Sequence, residues 1–365
     1  MYQYLRGWQN LPKWYLPKNY SPTTRIDVII PARNEAESIG NCLKSLFENT
    51  YPNHLFQVWV VDDFSTDDTA GIVQRLQGEY ANLSLIQMAD YPSEPGMVAF
   101  KKTALDQAIR QGDAELILTT DADCRVPPDW LLHWAAFFET KDLVMATAPV
   151  HLGAEDNPLQ RFQALDTMGM MLITGAGIQD DWMRMGNGAN LAYLRTAYEA
   201  VEGFKGINHL ASGDDMLLLQ KMAAAFPGQI GFVKSKEIAV QTPAESNYAA
   251  FISQRLRWAS KSAQYTEWKV AAALALVFLY CWAIIFSLFS VIIQPVSGLL
   301  LFLLLFLLKS GTDYLFLKRA AQFFGRKSLL QCYPLSQLHH IGYIALVGLM
   351  ANFRKTYVWK GRRVY

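Results

Sequence analysis

The chain has 365 residues, enough for about two domains, and a net charge of +1 that supplies no bulk field for nucleic acid. Hydrophobic residues make up 52% of it and are unevenly spread: an ordinary soluble pattern up to Glu267 gives way to long apolar runs from Lys269 onward. Cys42, Cys124, Cys281 and Cys332 lie far apart in no metal-ligand spacing, which fits reduced thiols in a cytosol and argues against a disulfide-stapled fold.

The N-terminal stretch MYQYLRGWQNLPKWYLP lacks the apolar core of a signal peptide. Its mixture of Tyr, Trp, Lys and Arg suits either a membrane surface or a flexible leader with a few aromatic contacts. Ile26 to Ile30 (IDVII) then reads as a strand, ended by Pro31 and followed by a helix with Ile39, Leu43, Leu46 and Phe47 on one face. QVWVVDDFSTDDTAGIVQRL repeats the order of strand, acidic turn and helix, and LSLIQM, KKTALDQAIRQG and AELILTTDADC continue it. Strands alternating with helices predict a mostly parallel sheet covered on both faces. In such sheets ligands bind beyond the carboxyl ends of the strands.

Three strand ends carry polar clusters: Arg33-Asn34-Glu35, Asp62-Asp63 with Ser65, Thr66 and Asp67, and Asp121-Asp123. If the extended backbone persists through Thr119 to Cys124, the side chains of Asp121 and Asp123 share one face. Two hard oxygen ligands so placed suit a divalent cation that would also hold a diphosphate.

Later elements are less regular. VMATAPV at 144–150 reads as one more strand, and a helix through Leu165 to Leu172 carries methionines that read as core filler. GNGAN, Gly186 to Asn190, is a turn entering a strand or helix, and Gly213-Asp214-Asp215 opens an apolar helical pattern. Acids there could simply cap the helix. In FISQRLRW, Gln254, Arg257 and Trp258 fall on one helical face, with Arg255 and Lys261 adding charge near the apolar region.

Val270 to Ile293 carries no charge and is long enough, about 36 Å as a helix, to cross a bilayer. Gln294, Pro295 and Gly298 make a turn into a second span from Val296 to about Leu317, where Lys309 and Asp313 lie one helical turn apart, close enough to pair, and are expected near the interface. A basic linker (Lys318, Arg319, Arg326, Lys327), a weaker apolar segment from Leu335 to Met350 and a basic tail follow. Two crossings leave the linker on the side of the catalytic part, as the positive-inside rule requires, whereas a third would put the basic tail outside. The third segment is therefore read as membrane-embedded, with its crossing open. The expected divisions are a leader at 1–24, a catalytic domain at 25–262, a membrane region at 263–353 and a tail at 354–365.

Taken in order, PARNE, VDDFSTDDT, the lysine before ALDQA, TDADC, SGDD and QRLRW resemble the motifs of the family 2 inverting glycosyltransferases of the GT-A fold. The likeness covers about residues 25–260, and QxxRW with the tail YVWKGRRVY is similar to the membrane-attached branch that includes ceramide and carotenoid glycosyltransferases and polysaccharide synthases. It implies an α/β GT-A fold, Rossmann-like with a mostly parallel sheet, followed by transmembrane helices. It further implies that Pro31, Arg33, Asn34, Glu35, Asp62, Asp63, Lys101 (or Lys102) and Asp121 bind a nucleotide diphosphate sugar, preferably a UDP-sugar. Phe100 stands where the family often has glycine, so which lysine reaches the diphosphate stays open. Asp121 and Asp123 would hold Mg²⁺ or Mn²⁺, and Asp215 would act as general base in a single displacement. The family often has Glu-Asp where this chain has Asp214-Asp215. Asn187, Asn190, Asp214, Gln254, Arg257 and Trp258 would form the acceptor site and its lid. The expected enzyme is a hexosyltransferase of the inner membrane with its catalytic part in the cytoplasm, acting on a lipid or lipid-linked acceptor. A processive polysaccharide synthase is the alternative, and a non-enzymatic nucleotide-sugar-binding membrane protein a third reading that the intact acids oppose.

Overall fold

The structure, a computed structural model, describes residues 2–91, 99–153, 156–210, 213–259, 268–353, 357–360 and 362–364, without the side chains of 352–359 and 361–365. In chain order the elements are α1 (Tyr2–Asn10), β1 (Ile26–Ala32), α2 (Ile39–Phe47), β2 (Phe56–Asp62), α3 (Thr69–Gln77), β3 (Leu83–Gln87), α4 (Phe100–Gln111), β4 (Leu116–Thr119), α5 (Trp130–Thr140), β5 (Met145–Thr147), β6 (Val150–Leu152) and α6 (Pro158–Gln179). There follow β7 (Leu191–Leu194), α7 (Arg195–Ala200), α8 (Asp214–Ala225), β8 (Ile230–Phe232), β9 (Val240–Thr242), α9 (Tyr248–Ala259), α10 (Trp268–Ser290), α11 (Pro295–Phe323), α12 (Tyr333–Phe353), β10 (Tyr357–Trp359) and β11 (Arg362–Val364). They divide between two compact units, each discontinuous in sequence.

The larger unit comprises Asn10–His151, Gly177–Pro243 and Val358–Tyr365. Its seven-stranded sheet has the order β3-β2-β1-β4-β7-β5-β8. β1, β2, β3 and β4 are parallel, as the alternating pattern predicts, while β7 enters antiparallel to both β4 and β5. The central strands are covered on both faces, and so read as unbroken apolar runs rather than alternating ones: Val28, Ile29, Ile30, Val60, Val61, Ile117 and Leu118 are fully buried. The run at 144–150 is two short strands, β5 and β6, interrupted at Ala148 and Pro149. Register sets where the chain turns: Ala32 lies opposite Asp62, whereas Thr119 at the end of β4 lies opposite Ile29, so β4 stops three residues short of the end of β1.

Two charged groups inside this unit are structural. Asp27, buried in mid-strand, accepts from Arg195 (2.7 Å), from the Trp59 indole (2.8 Å) and from the Ala114 amide (3.0 Å). A Cβ on Gly112 would come within 2.1 Å of its carboxylate, so that close approach requires glycine. The segment after Asn10 is a strap along the unit: Trp14 stacks edge-on against Phe137 and donates to His133, and Lys234 Nζ donates to the Leu11 carbonyl.

The smaller unit comprises Met1–Gln9, Leu152–Ala176 and Ala244–Tyr357. α10 and α11 are long and apolar enough to cross a membrane, and only 17% and 11% of their most apolar windows are buried. A core helix of a soluble protein would be mostly covered; these present Leu276, Leu279, Leu300, Leu304 and Leu307 outward. The turn between them is tight because Pro295 starts α11 at a position where its missing N–H costs nothing, and Gly298 packs on Ser290 and Val291, whose backbone a Cβ would meet at 2.7 Å. The predicted Lys309–Asp313 pair forms, but it is buried and shared with α12, through His340 (3.3 Å from Lys309) and Gln337 (3.2 Å from Asp313). Among the described helices α12, which contains the third apolar segment, does not reach the length and hydropathy that α10 and α11 have.

A second buried ion pair in this unit involves the basic-aromatic motif. Arg255 on α9 lies 2.9 Å from Asp166 on α6, both nearly excluded from solvent at 5% and 9% exposure. Its guanidinium stacks over Trp258 at 4.3 Å and faces the rings of Phe251 and Tyr343. α1 completes the unit through edge contacts of Trp8 with Phe323 and of Tyr4 with Phe316.

Candidate active site

The carboxyl ends of β1, β2 and β4 face the start of α8 and the Gly186–Asn190 turn within the larger unit, and the predicted polar clusters meet there. The first loop is built by side chains caging backbone. Arg33 Nη1 donates to the carbonyls of Asp63 and Phe64, both at 2.6 Å. Asn34, at positive φ, exchanges bonds with Ser65 and Thr66, and the Glu35 amide donates to Thr69 Oγ1 at 2.8 Å. Asn tolerates that left-handed conformation better than most residues. Pro31, the penultimate residue of β1, pairs with Val61 and sets this loop's starting point.

Asp62 and Asp63 are buried at the end of β2. Asp62 Oδ2 accepts from the Ser65 amide, while Oδ1 is buried with no hydrogen-bond partner among the described residues. A buried carboxylate oxygen in that state needs a donor.

The acids of TDADC come together differently from the expected way. β4 ends at Thr119, and Asp121 to Cys124 form a turn closed by the Cys124 amide on the Asp121 carbonyl at 3.0 Å. Strand alternation therefore does not place Asp121 and Asp123; the turn does. Asp121 is held by Lys101, whose ammonium lies 2.9 Å from Asp121 Oδ1 and 3.1 Å from Asp214 Oδ2. Burial pulls the Lys101 pKa down, but Asp121, Asp214 and Asp215 outweigh it and hold the ammonium firmly protonated. Lys102 turns the other way, buried, donating to the carbonyls of Ile207 and Leu210 at 2.8 and 2.7 Å. Of the two lysines left open by the sequence, Lys101 is the one in the acid cluster.

Asp123 has no lysine of this kind. Burial, then Asp121 and Glu35, push its carboxyl up to about 6, with Lys360 pulling the other way. Adjacent carboxylates in a half-buried pocket fit a divalent cation, which would remove that repulsion. Among the described residues no three His, Cys, Asp or Glu side chains converge closely enough to hold a metal by themselves. Asp121 and Asp123 could therefore hold such a cation only together with ligands from outside this group of side chains. Cys42 and Cys124 border it, and burial keeps both as thiols.

Asp214 and Asp215 open α8 behind Gly213, whose φ of 81° is left-handed and suits glycine. Asp215 does more than cap its helix: Oδ2 accepts from the Gly188 amide at 3.2 Å and Oδ1 from the Met216 amide at 2.7 Å. A Cβ on Gly188 would touch Asp214, Lys101 and Asp215 within 3.7 Å, so these groups close around one point. The turn is anchored from below, by Thr119 Oγ1 to the Gly188 carbonyl (2.8 Å) and Thr147 Oγ1 to the Asn190 carbonyl (3.1 Å).

Of the two asparagines of that turn, Asn190 is scaffold and Asn187 is half-buried. Asn187 Oδ1 accepts from the Ala189 amide. Asn190 is fully buried, accepting from the indoles of Trp130 and Trp134 and donating to the carbonyls of Pro149 and Ile238. Its hydrogen-bonding capacity is used inside the protein. Gln254, Arg257 and Trp258 belong to α9 in the smaller unit, where Gln254 donates to Glu245 at 2.9 Å and Trp258 lies under Arg255. Lys261 lies outside the described residues.

One participant was not singled out in the sequence. Lys360, in the turn between β10 and β11, ion-pairs with Glu35, while its carbonyl accepts from Arg33 Nε at 3.2 Å. In the sequence it stood only within the tail YVWKGRRVY, with no role attached.

Comparison with known proteins bears on the family and the fold. The model of glycosyl transferase family 2 matches residues 27–201, and that of glycosyl transferase family group 2 matches residues 116–317, more than half of the chain. A beta-monoglucosyldiacylglycerol synthase of Nostoc sp. is 30% identical over 128 residues, 35% of this chain and 26% of the relative. A probable glycosyltransferase of Bacillus subtilis, YdaM, is 25% identical over 207 residues, 55% of this chain and 47% of its own length. The matched part thus spans about half or less of these relatives. The mannosyltransferase PcManGT from Pyrobaculum calidifontis, solved with GDP-Man and Mn²⁺, shares the fold with a TM-score of 0.57 at 19% identity, over 92% of this chain and 93% of that one. With its mostly parallel GT-A sheet and acid-lined strand ends, the chain belongs to the family 2 glycosyltransferases.

Proposed function

We propose that the protein is a membrane-attached inverting glycosyltransferase that moves one sugar from a nucleoside diphosphate sugar to a lipid acceptor. The observation that carries this reading is the convergence of Asp121, Asp214 and Asp215 on Lys101, next to a desolvated Asp123. The buried, unpartnered Asp62 Oδ1 supports a nucleotide on this edge, since a base N–H would satisfy it. Arg33, Asn34 and Glu35 act mainly by fixing the loop that shapes that pocket.

In the reaction the acceptor hydroxyl oxygen bonds to the anomeric carbon while the bond from that carbon to the diphosphate oxygen breaks. The hydroxyl proton passes to Asp215, and the departing nucleoside diphosphate keeps the electron pair. Asp215 is held for this task by the Gly188 and Met216 amides, which keep it oriented. Lys101, a point charge with three donors, would shift from the acids onto the diphosphate. A divalent cation on Asp121 and Asp123 would supply the charge that stabilises the leaving diphosphate. One base suffices, with no covalent intermediate, and the anomeric configuration inverts.

A lipid acceptor is supported by the outward leucine faces of α10 and α11 and by the diacylglycerol-linked name of the Nostoc relative. With α10 and α11 spanning, the basic linker at 318–327 returns to the side from which α10 started. The test is to incubate the detergent-solubilised full chain with Mn²⁺, labelled UDP-glucose, UDP-N-acetylglucosamine or GDP-mannose, and diacylglycerol or ceramide. A glycolipid carrying one sugar is expected. Sugar hydrolysis alone with every pair, or a ladder of polymer, would overturn the reading.

A further inference from the structure

The two charged residues of PARNE hold the two ends of a residue more than three hundred positions away. Arg33 donates to the Lys360 carbonyl, and Glu35 pairs with its ammonium. Both contacts lie within the larger unit, at the strand ends where the acids collect. The hairpin β10–β11 turns at Lys360 with φ of 43°, a conformation that usually selects Gly or Asn. A lysine kept where its backbone is strained points to a use for its side chain.

That use follows from charge. The strand ends bring Glu35, Asp121, Asp123, Asp214 and Asp215 near one another, and Arg33 spends its guanidinium on backbone carbonyls. Five carboxylates outnumber Lys101 and Arg33, and the donor proposed for this site is itself an anion. Repulsion between like charges in a partly desolvated site is large unless cations accompany them. Lys360 is a second ammonium that the described residues bring to this edge, with its side chain 28% exposed and so able to reorient.

We infer that Lys360 is a donor-binding residue, a cation returned by the C-terminal hairpin to the nucleoside diphosphate site and parked on Glu35 until the donor arrives. This rests on the donor-site reading above. Removing the charge should weaken the diphosphate far more than it disturbs the fold.

The experiment measures binding of UDP and of GDP, each with Mn²⁺, to the full chain by titration calorimetry at two salt concentrations, alongside thermal unfolding. Lys360→Met is expected to weaken the bound nucleotide by about tenfold, the usual effect of deleting a charged hydrogen-bond donor. Its unfolding temperature should be unchanged and its salt dependence reduced, and Lys360→Arg should recover most of the affinity. Lys236→Gln removes a cation that pairs with Glu237 on the surface, and should change nothing. Equal affinity in Lys360→Met and the unaltered chain would overturn the inference and leave the donor site standing. Equal weakening in the Met and Arg variants with a lowered unfolding temperature would make the hairpin a structural strap and also overturn it. Failure of the unaltered chain to bind either nucleotide would overturn the donor-site reading, and this inference with it.

Discussion

Replacing Arg255 by Met should expose the cost of its buried partner. Asp166 lies 2.9 Å from the guanidinium, yet its Oδ2 has no well-aligned donor, and burial raises its pKa despite the pull of Arg255. Without Arg255 the buried carboxyl would keep only the long hydrogen bond from the Tyr343 hydroxyl (3.5 Å), and it would take up a proton rather than stay charged. Protonating a carboxyl of ordinary pKa near 4 at pH 7 costs about 4 kcal/mol, which caps the destabilisation and agrees with the ~3–5 kcal/mol of broken buried pairs. In detergent at a fixed scan rate this is a drop of roughly 8 °C or more in the apparent unfolding midpoint. The sign with pH follows: in the variant the folded-state pKa lies above the unfolded one, so the group favours folding at low pH and loses this as pH rises. The deficit of Arg255→Met should therefore shrink by about 1.4 kcal/mol per pH unit on acidification from pH 7 toward 5. Adding Asp166→Asn should restore most of the loss, because both charges are then gone. A shift under roughly 2 °C for Arg255→Met, or a double variant no better than the single, would refute the reasoning.

Other substitutions test the remaining assignments. Asp215→Asn should reduce transfer by about a thousandfold or more, the loss expected for a general base, while nucleotide binding by calorimetry stays within about threefold. Lys101→Met should weaken nucleotide binding by roughly tenfold with the fold intact, whereas Lys102→Met should lower the unfolding midpoint, since Lys102 serves two buried carbonyls. Asn190→Ala should cost about 3 kcal/mol by stranding two indoles and two carbonyls, measured as thermal stability.

What could be read in the sequence was local. The β-branched runs, the helix faces and the polar residues that follow each strand are properties of adjacent residues, and the parallel strands form as expected. What could not be read depends on pairings across the chain. Nothing near GNGAN says that β7 will slide antiparallel between β4 and β5, yet that insertion brings Gly188 to Asp215. TDADC looks like the end of a strand because its apolar prefix is one; the turn is visible only once β4 is seen to stop at Thr119. QRLRW suggested Gln254, Arg257 and Trp258 by helical spacing, and the buried charge is Arg255, chosen by an Asp on a distant helix. Lys360 is the extreme case, legible as basic and placed only by the fold.

The central claim is that the acids at the strand ends bind a diphosphate through a shared cation. Its most direct test is the affinity of UDP and of GDP with and without Mn²⁺, in the unaltered chain and in Asp123→Asn. The account predicts binding of at least one nucleotide that strengthens by an order of magnitude or more with Mn²⁺, and loses most of that gain in Asp123→Asn, because Asp123 is the desolvated carboxylate without its own lysine. Nucleotide binding equally tight in EDTA, or a metal effect indifferent to Asp123, would contradict it.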